Sequence, residues 1–199
     1  MQKNIRRFAD GATRSFVAVL LVAGTWFAHD AIAQPSENAL QAFEVVRSVL
    51  QHPRCQNCHI PGDSPFMDDA ETPHDQNIVR GPTGRGAAAN ECSSCHQKTN
   101  LPLTYGEHAP PGSPGWRLPP PHTRMVFNGL SSRELCRSIK DRRFTGGKNL
   151  GAMMAHIRDN GQVAWGWAPG ARRTVPPATR AQTVAAFKTW MDAGAPCPQ

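Results

Sequence analysis

The chain has 199 residues and carries 22 Lys and Arg against 15 Asp and Glu, a formal charge of +7. That length suffices for one compact domain or two small ones. A basic balance can signal nucleic acid, but no block of Lys and Arg with interleaved aromatics occurs. The charge is therefore read as solubility plus docking to acidic protein partners.

The first element is a targeting segment. Lys3, Arg6, Arg7 and Arg14 form a positive region, Phe16 to Ala28 is an apolar run, and Ala31-Ile32-Ala33 is a small-x-small cleavage site. The run is too short for an ordinary membrane span and wrongly flanked for one. Residues 1–33 are expected to be a cleaved signal peptide and residues 34–199 a domain exported to a bacterial periplasm, with no stable membrane insertion afterwards. Retention of the segment as an anchor is the rival. Arg6-Arg7 raises the twin-arginine route, which the flanking residues fit poorly.

A helix follows from about Ser36, its N-cap, to Gln51, with Leu40, Phe43, Val46 and Leu50 on one face and Pro53 as its stop. It runs straight into "RCQNCH", and a second copy of the same pattern stands at "ECSSCH". Each holds Cys-x-x-Cys-His: Cys55, Cys58 and His59, then Cys92, Cys95 and His96. This pattern reads as c-type haem attachment. Two thiols three positions apart reach the two vinyl groups of a porphyrin, and the next residue sets an imidazole under the iron. Two haem c groups are expected, with motifs at 55–59 and 92–96. Zinc held by two Cys-x-x-Cys pairs usually spans a linker of ~15–20 residues, far shorter than the stretch 59–91, and needs no His after each pair. A thioredoxin-like dithiol calls for a βαβ pattern that is absent.

After the second motif, residues 101–121 hold seven prolines together with Tyr105 and Trp116. Such composition is often a linker, yet its apolar groups suit an ordered wrap over a flat cofactor. A capping box, Ser131 to Glu134, opens a second helix that ends near Lys140. A third covers about Asn149 to Arg158, with Leu150, Met153, Met154 and Ile157 as its stripe. "AWGWAPGARRTVPP", residues 164–177, reads as a second wrap. Thr179 opens a fourth helix that is expected to bury Val184, Phe187 and Met191 and to end at Gly194. The leftover cysteines, Cys136 and Cys197, are expected to pair in an oxidising compartment. No run alternates cleanly enough to form a sheet. The expectation is a mainly α, loop-rich di-haem cytochrome c fold with about four helices.

The stretches "HPRCQNCH", "HDQNIVRGPTGRG", "PPGSPGWRLPP", "LCRSIKD", "GGKNL", "WGWAPGARR" and "WMDAGAPCP" resemble a family of small exported di-haem c-type cytochromes. The resemblance covers the whole of residues 34–199 and implies electron transfer. It also implies that the cysteines of "LCRSIKD" and "GAPCP" go together. Some members of that family are labelled as a subunit associated with isoquinoline 1-oxidoreductase, which implies a periplasmic molybdenum hydroxylase as the redox partner.

With His59 and His96 as proximal ligands, each iron has one axial position left. His52 lies too close to Cys55 to reach the far face of its own haem. Met153, Met154 and Met191 fall on helix stripes and read as core, while His122 and Met67 carry no further signal. His74, in a polar loop between the motifs, and His156, flanking the stripe of the third helix, are the preferred distal ligands. His108 in the proline-rich wrap and Met125, placed much like the distal methionine of single-haem cytochromes, are the alternatives. Two nitrogens favour a low potential and a methionine raises it. The chain is expected to be an electron carrier rather than an enzyme. The alternative is a di-haem peroxidase or sulfur-compound oxidoreductase with one open iron.

Overall fold

The computed structural model describes residues 36–106, 109–170 and 172–199. The expected signal peptide over residues 1–33 and His108 lie outside the described residues. Residues Gln34–Gln199 gather into one unit.

The helices form where side chains satisfy their ends. Helix α1, Glu37–Leu50, starts at Ser36, whose hydroxyl accepts the Ala39 N–H at 3.3 Å, and Glu37 sits favourably in its first turn. Pro53 both prevents its continuation and opens the single turn α2, Pro53–Gln56. A proline is harmless at a first helical position because that N–H has no partner within the helix. His52 caps α2, its Nδ1 accepting the Arg54 N–H at 3.2 Å. Helix α3, Ser132–Lys140, opens on the reciprocal bonds of a capping box: Glu134 N–H to Ser131 Oγ, and Ser131 N–H to Glu134 Oε2 at 2.8 Å. Helix α4, Leu150–Asp159, is capped by Asn149, and α5, Gly161–Trp165, by Asn160. Helix α6, Arg180–Asp192, has a second capping box from Thr179 and Gln182.

The structure is thus mainly helical, with four longer helices where the periodicity placed them and the short α2 and α5 in addition. Four to five residues show too little periodicity to be read as a helix. The described residues hold one antiparallel ribbon, β1 Gly86–Ala87 with β2 Asn90–Glu91, which feeds directly into Cys92. Buried Arg80 ties the end of the proline-rich segment to the loop that follows His59. Its guanidinium donates to the carbonyls of Pro119, Ile60 and Gly62 and pairs with Asp63.

The core lies where α1 packs on α6 and α3, with α4 against the other side of α6. Phe43, Phe187 and Trp190 meet there, with ring centroids 5.1 Å and 5.4 Å from the tryptophan. The buried face of α6 is Thr183, Phe187 and Trp190 rather than Val184, Phe187 and Met191. The large indole turns inward, and Met191, one position on and about 100° round, is left half-buried. Leu40, Leu150 and Met154 are likewise half-buried, whereas the small Ala39 is sealed. Cys136 of α3 and Cys197 of the C-terminal tail are joined by a disulfide, Cα to Cα 5.6 Å. Trp190 Nε1–H and Lys140 Nζ hold the same tail by donating to Pro196 O at 2.7 Å and Ala195 O at 2.6 Å.

Candidate functional site

The two Cys-x-x-Cys-His segments fold into the same turn. In the first, Cys58 N–H and His59 N–H both donate to Cys55 O, at 3.2 and 3.1 Å; in the second, Cys95 N–H and His96 N–H both donate to Cys92 O, at 3.3 and 2.9 Å. One begins within helix α2, at Cys55, and the other on a 3-10 turn, Cys92–Ser94. None of the four motif cysteines is joined in a disulfide.

The motif histidines also share an anchorage. His59 Nδ1 donates to Met125 O at 3.0 Å, with Arg124 O at 3.2 Å, and His96 Nδ1 donates to Pro111 O at 2.7 Å. A ring whose Nδ1–H is held by a carbonyl has its Nε2 lone pair free and aimed, the usual preparation of a metal-ligating imidazole. Burial drives the His59 pKa down to about 4 and lowers that of His96, which in both favours the neutral ring that can coordinate.

The first motif opens on a cavity of about 370 Å³, within the range of cofactor sites. Cys55, Cys58 and His59 form one wall; Met153 and His156 of α4 form another, and Trp116 and Trp165 close it. Burial pushes the Cys55 thiol up to about 12 and the Cys58 thiol up to about 11, the latter partly countered by Arg54. Protonated thiols lining an apolar wall are not the low-pKa nucleophiles of a redox dithiol. His156 lines this cavity, adds to the lowering of the His59 pKa and makes no side-chain hydrogen bond among the described residues. Its own pKa is lowered by burial and then by Lys148 and Arg117.

The second motif is more open: Cys95 is exposed, and Cys92 and His96 are half-buried. Here His74 stands beside His96, ring centroids 6.1 Å apart and planes at 70°. His74 Nδ1 is held by Asp75 O at 3.0 Å, so its Nε2 too is left free. The sites adjoin, since Cys58 and Cys92 lie close enough to interact electrostatically.

Of the candidates from sequence, His156 thus faces the first site and His74 the second. Met125 lines the first cavity, but its own carbonyl holds His59 Nδ1, which puts its backbone on the side of that ring opposite Nε2. His122 is exposed on a 3-10 turn. His52 is occupied at both nitrogens, Nδ1 by the Arg54 N–H and Nε2 by Thr174 Oγ1 at 3.3 Å. No group of three His, Cys, Asp or Glu side chains converges for a metal ion among the described residues. None of them forms a helix long and apolar enough to cross a membrane.

Two residues of the site, Arg54 and Asn100, escaped the sequence reading, which took Trp116 only as packing for the wrap. Arg54 is buried beneath Trp165, 5.9 Å from the ring centroid, and pairs with Asp69. Asn100 Oδ1 accepts from Trp165 Nε1 at 2.8 Å and from Gly112 N at 3.0 Å, locking both wraps together. Trp116 stacks on His96 at 4.6 Å with planes 6° apart. No local pattern in the sequence marks Arg54 or Asn100. Comparison of the chain with family models, curated proteins and solved structures finds no match.

Proposed function

We propose that the chain is a periplasmic electron carrier that binds two c-type haems covalently. Thioethers form at Cys55 and Cys58 and at Cys92 and Cys95, with His59 and His96 as proximal ligands. The observation that carries this reading is the duplication of one local device: the same hydrogen-bonded turn, with the same Nδ1-to-carbonyl anchorage, at two places in one chain.

The residues present fit the group. Each motif imidazole has a second imidazole at hand, His156 for His59 and His74 for His96. Two imidazoles bound to one metal through ~2.0 Å bonds stand with ring centres about 6 Å apart, and His74 and His96 match that spacing. When bound, the haems supply one-electron exchange between ferric and ferrous iron. The chain orients Nε2 through the Pro111 and Met125 carbonyls, lines the first site with Trp116, Trp165 and Met153, and would offer His156 and His74 as further ligands to the bound groups. An imidazole poised at both sites favours a carrier over a peroxidase or sulfur-compound oxidoreductase, which would keep one iron open. The donor is a dehydrogenase-type protein, for which the family resemblance suggests a molybdenum hydroxylase.

The test is production in a host equipped for cytochrome maturation. A pyridine haemochrome count of two per chain, with the corresponding gain in mass, is expected; a colourless product of bare polypeptide mass overturns the proposal. His74→Ala and His156→Ala are each expected to convert a different haem to high spin while both stay attached. Met125→Leu should leave both low-spin.

A further inference from the structure

We infer that Trp116 is the positioning residue of the second site and the electronic link between the two, an inference that rests on the di-haem reading above. The indole lies flat on His96, 4.6 Å away and nearly parallel, and it is also part of the wall of the first cavity, which Cys55, Cys58 and His59 line. One side chain therefore touches the proximal ligand of one centre and the chamber of the other. Trp116 lies outside the helical core cluster, so packing α1, α3, α4 and α6 does not require it.

The stack complements the hydrogen bond. Pro111 O holds His96 at Nδ1 and so sets which nitrogen faces the metal, but a single hydrogen bond leaves the ring free to rock about it. A flat indole against the imidazole face removes that freedom, as outer partners of ligating histidines commonly do. Trp116 is itself held edge-on by Trp165, centroids 4.8 Å apart and planes at 82°. Trp165 is pinned in turn by its hydrogen bond to Asn100, which also donates to Ala168 O at 3.0 Å. The plane of His96 is thus tied to the wall of the first cavity through a chain of rigid rings. With haems bound at both sites, Trp116 would bridge a one-electron exchange in which one centre is oxidised as the other is reduced, with no bond formed and no proton moved. Trp116 fills the contact gap across which that electron passes.

The experiment uses the holoprotein with Trp116→Leu and Trp116→Phe, haem content being counted first. Two quantities are read: the rate of electron redistribution between the haems after flash photoreduction, and the low-temperature electron paramagnetic resonance of the ferric protein. Trp116→Leu is expected to slow redistribution by about tenfold, the lower end of what loss of an outer partner costs, and to move the g values of one low-spin signal only. Trp116→Phe keeps a stacked ring and should restore both readouts most of the way. A Trp116→Leu protein with wild-type rate and signals, or a Trp116→Phe protein as impaired as the leucine variant, overturns the inference. Absence of haem from the wild-type product would instead strike down the di-haem reading beneath it.

Discussion

Replacing Cys136 and Cys197 together by Ala tests how this loop-rich chain is held. The bridge spans a sequence separation of 61. In the chain-entropy description, closing a loop of that length removes about 14 cal/mol/K from the unfolded ensemble, or about 4 kcal/mol at 25 °C. The native tail stays in place without it, because Trp190 Nε1–H and Lys140 Nζ still donate to Pro196 and Ala195 carbonyls. The loss therefore falls on the unfolded side. In urea, with a slope of about 2 kcal/mol/M, the midpoint should fall by about 2 M, and the slope itself should rise as the released chain expands. Cys136 lies in the core with Phe43 and Trp190, whereas neither it nor Cys197 lines the first cavity, so the absorption spectrum should not change. A midpoint shift below about 0.5 M, or a change in the absorption that the proposed haems would give, would refute this reasoning.

Three further outcomes follow from local geometry. Gly112→Ala places a Cβ 2.0 Å from Thr99 O and 2.6 Å from Gln97 O, all backbone, so the segment carrying Pro111 must move. His96 then loses its anchor, and on the proposed di-haem reading the group at the second motif alone should become partly high-spin by magnetic circular dichroism. Arg80→Lys keeps the charge but lacks the fork that reaches Pro119, Ile60 and Gly62 carbonyls. It should cost about 2–3 kcal/mol in urea denaturation. Asp68 is held below its ordinary 3.8 chiefly by the Thr72 N–H, with the Ala70 N–H assisting, both at 3.0 Å. A folded pKa below the unfolded one means the unfolded chain takes up the proton first on acidification. The contribution is present above about pH 4 and lost as pH falls through the lowered folded value. Asp68→Asn should flatten that part of the urea midpoint against pH, and an unchanged profile would remove Asp68 from the account.

The sequence alone determined whatever closes within a few residues. Ser36, the Ser131–Glu134 box, Asn149 and the Thr179–Gln182 box open helices because a side chain three positions from a free N–H reaches it regardless of the rest of the fold. The two Cys-x-x-Cys-His turns were legible for the same reason: the bond from the histidine N–H to the first cysteine carbonyl is internal to the motif. The Cys136–Cys197 pair followed from chemistry, as the two cysteines left over once the motifs had taken the others. The tertiary structure decided what those local pieces face. That His156 stands over the first motif and His74 beside the second depends on where α4 packs and how the polar loop folds back, contacts that residue spacing does not encode. The inward face of α6 was misjudged by one position because Trp190, not Met191, fills the space left by Phe43. Trp116 was readable only as an aromatic suited to a wrap. Its place between the two sites arises from hydrogen bonds through Asn100 and Pro111, joining segments distant in the chain, and only the packed chain brings those together.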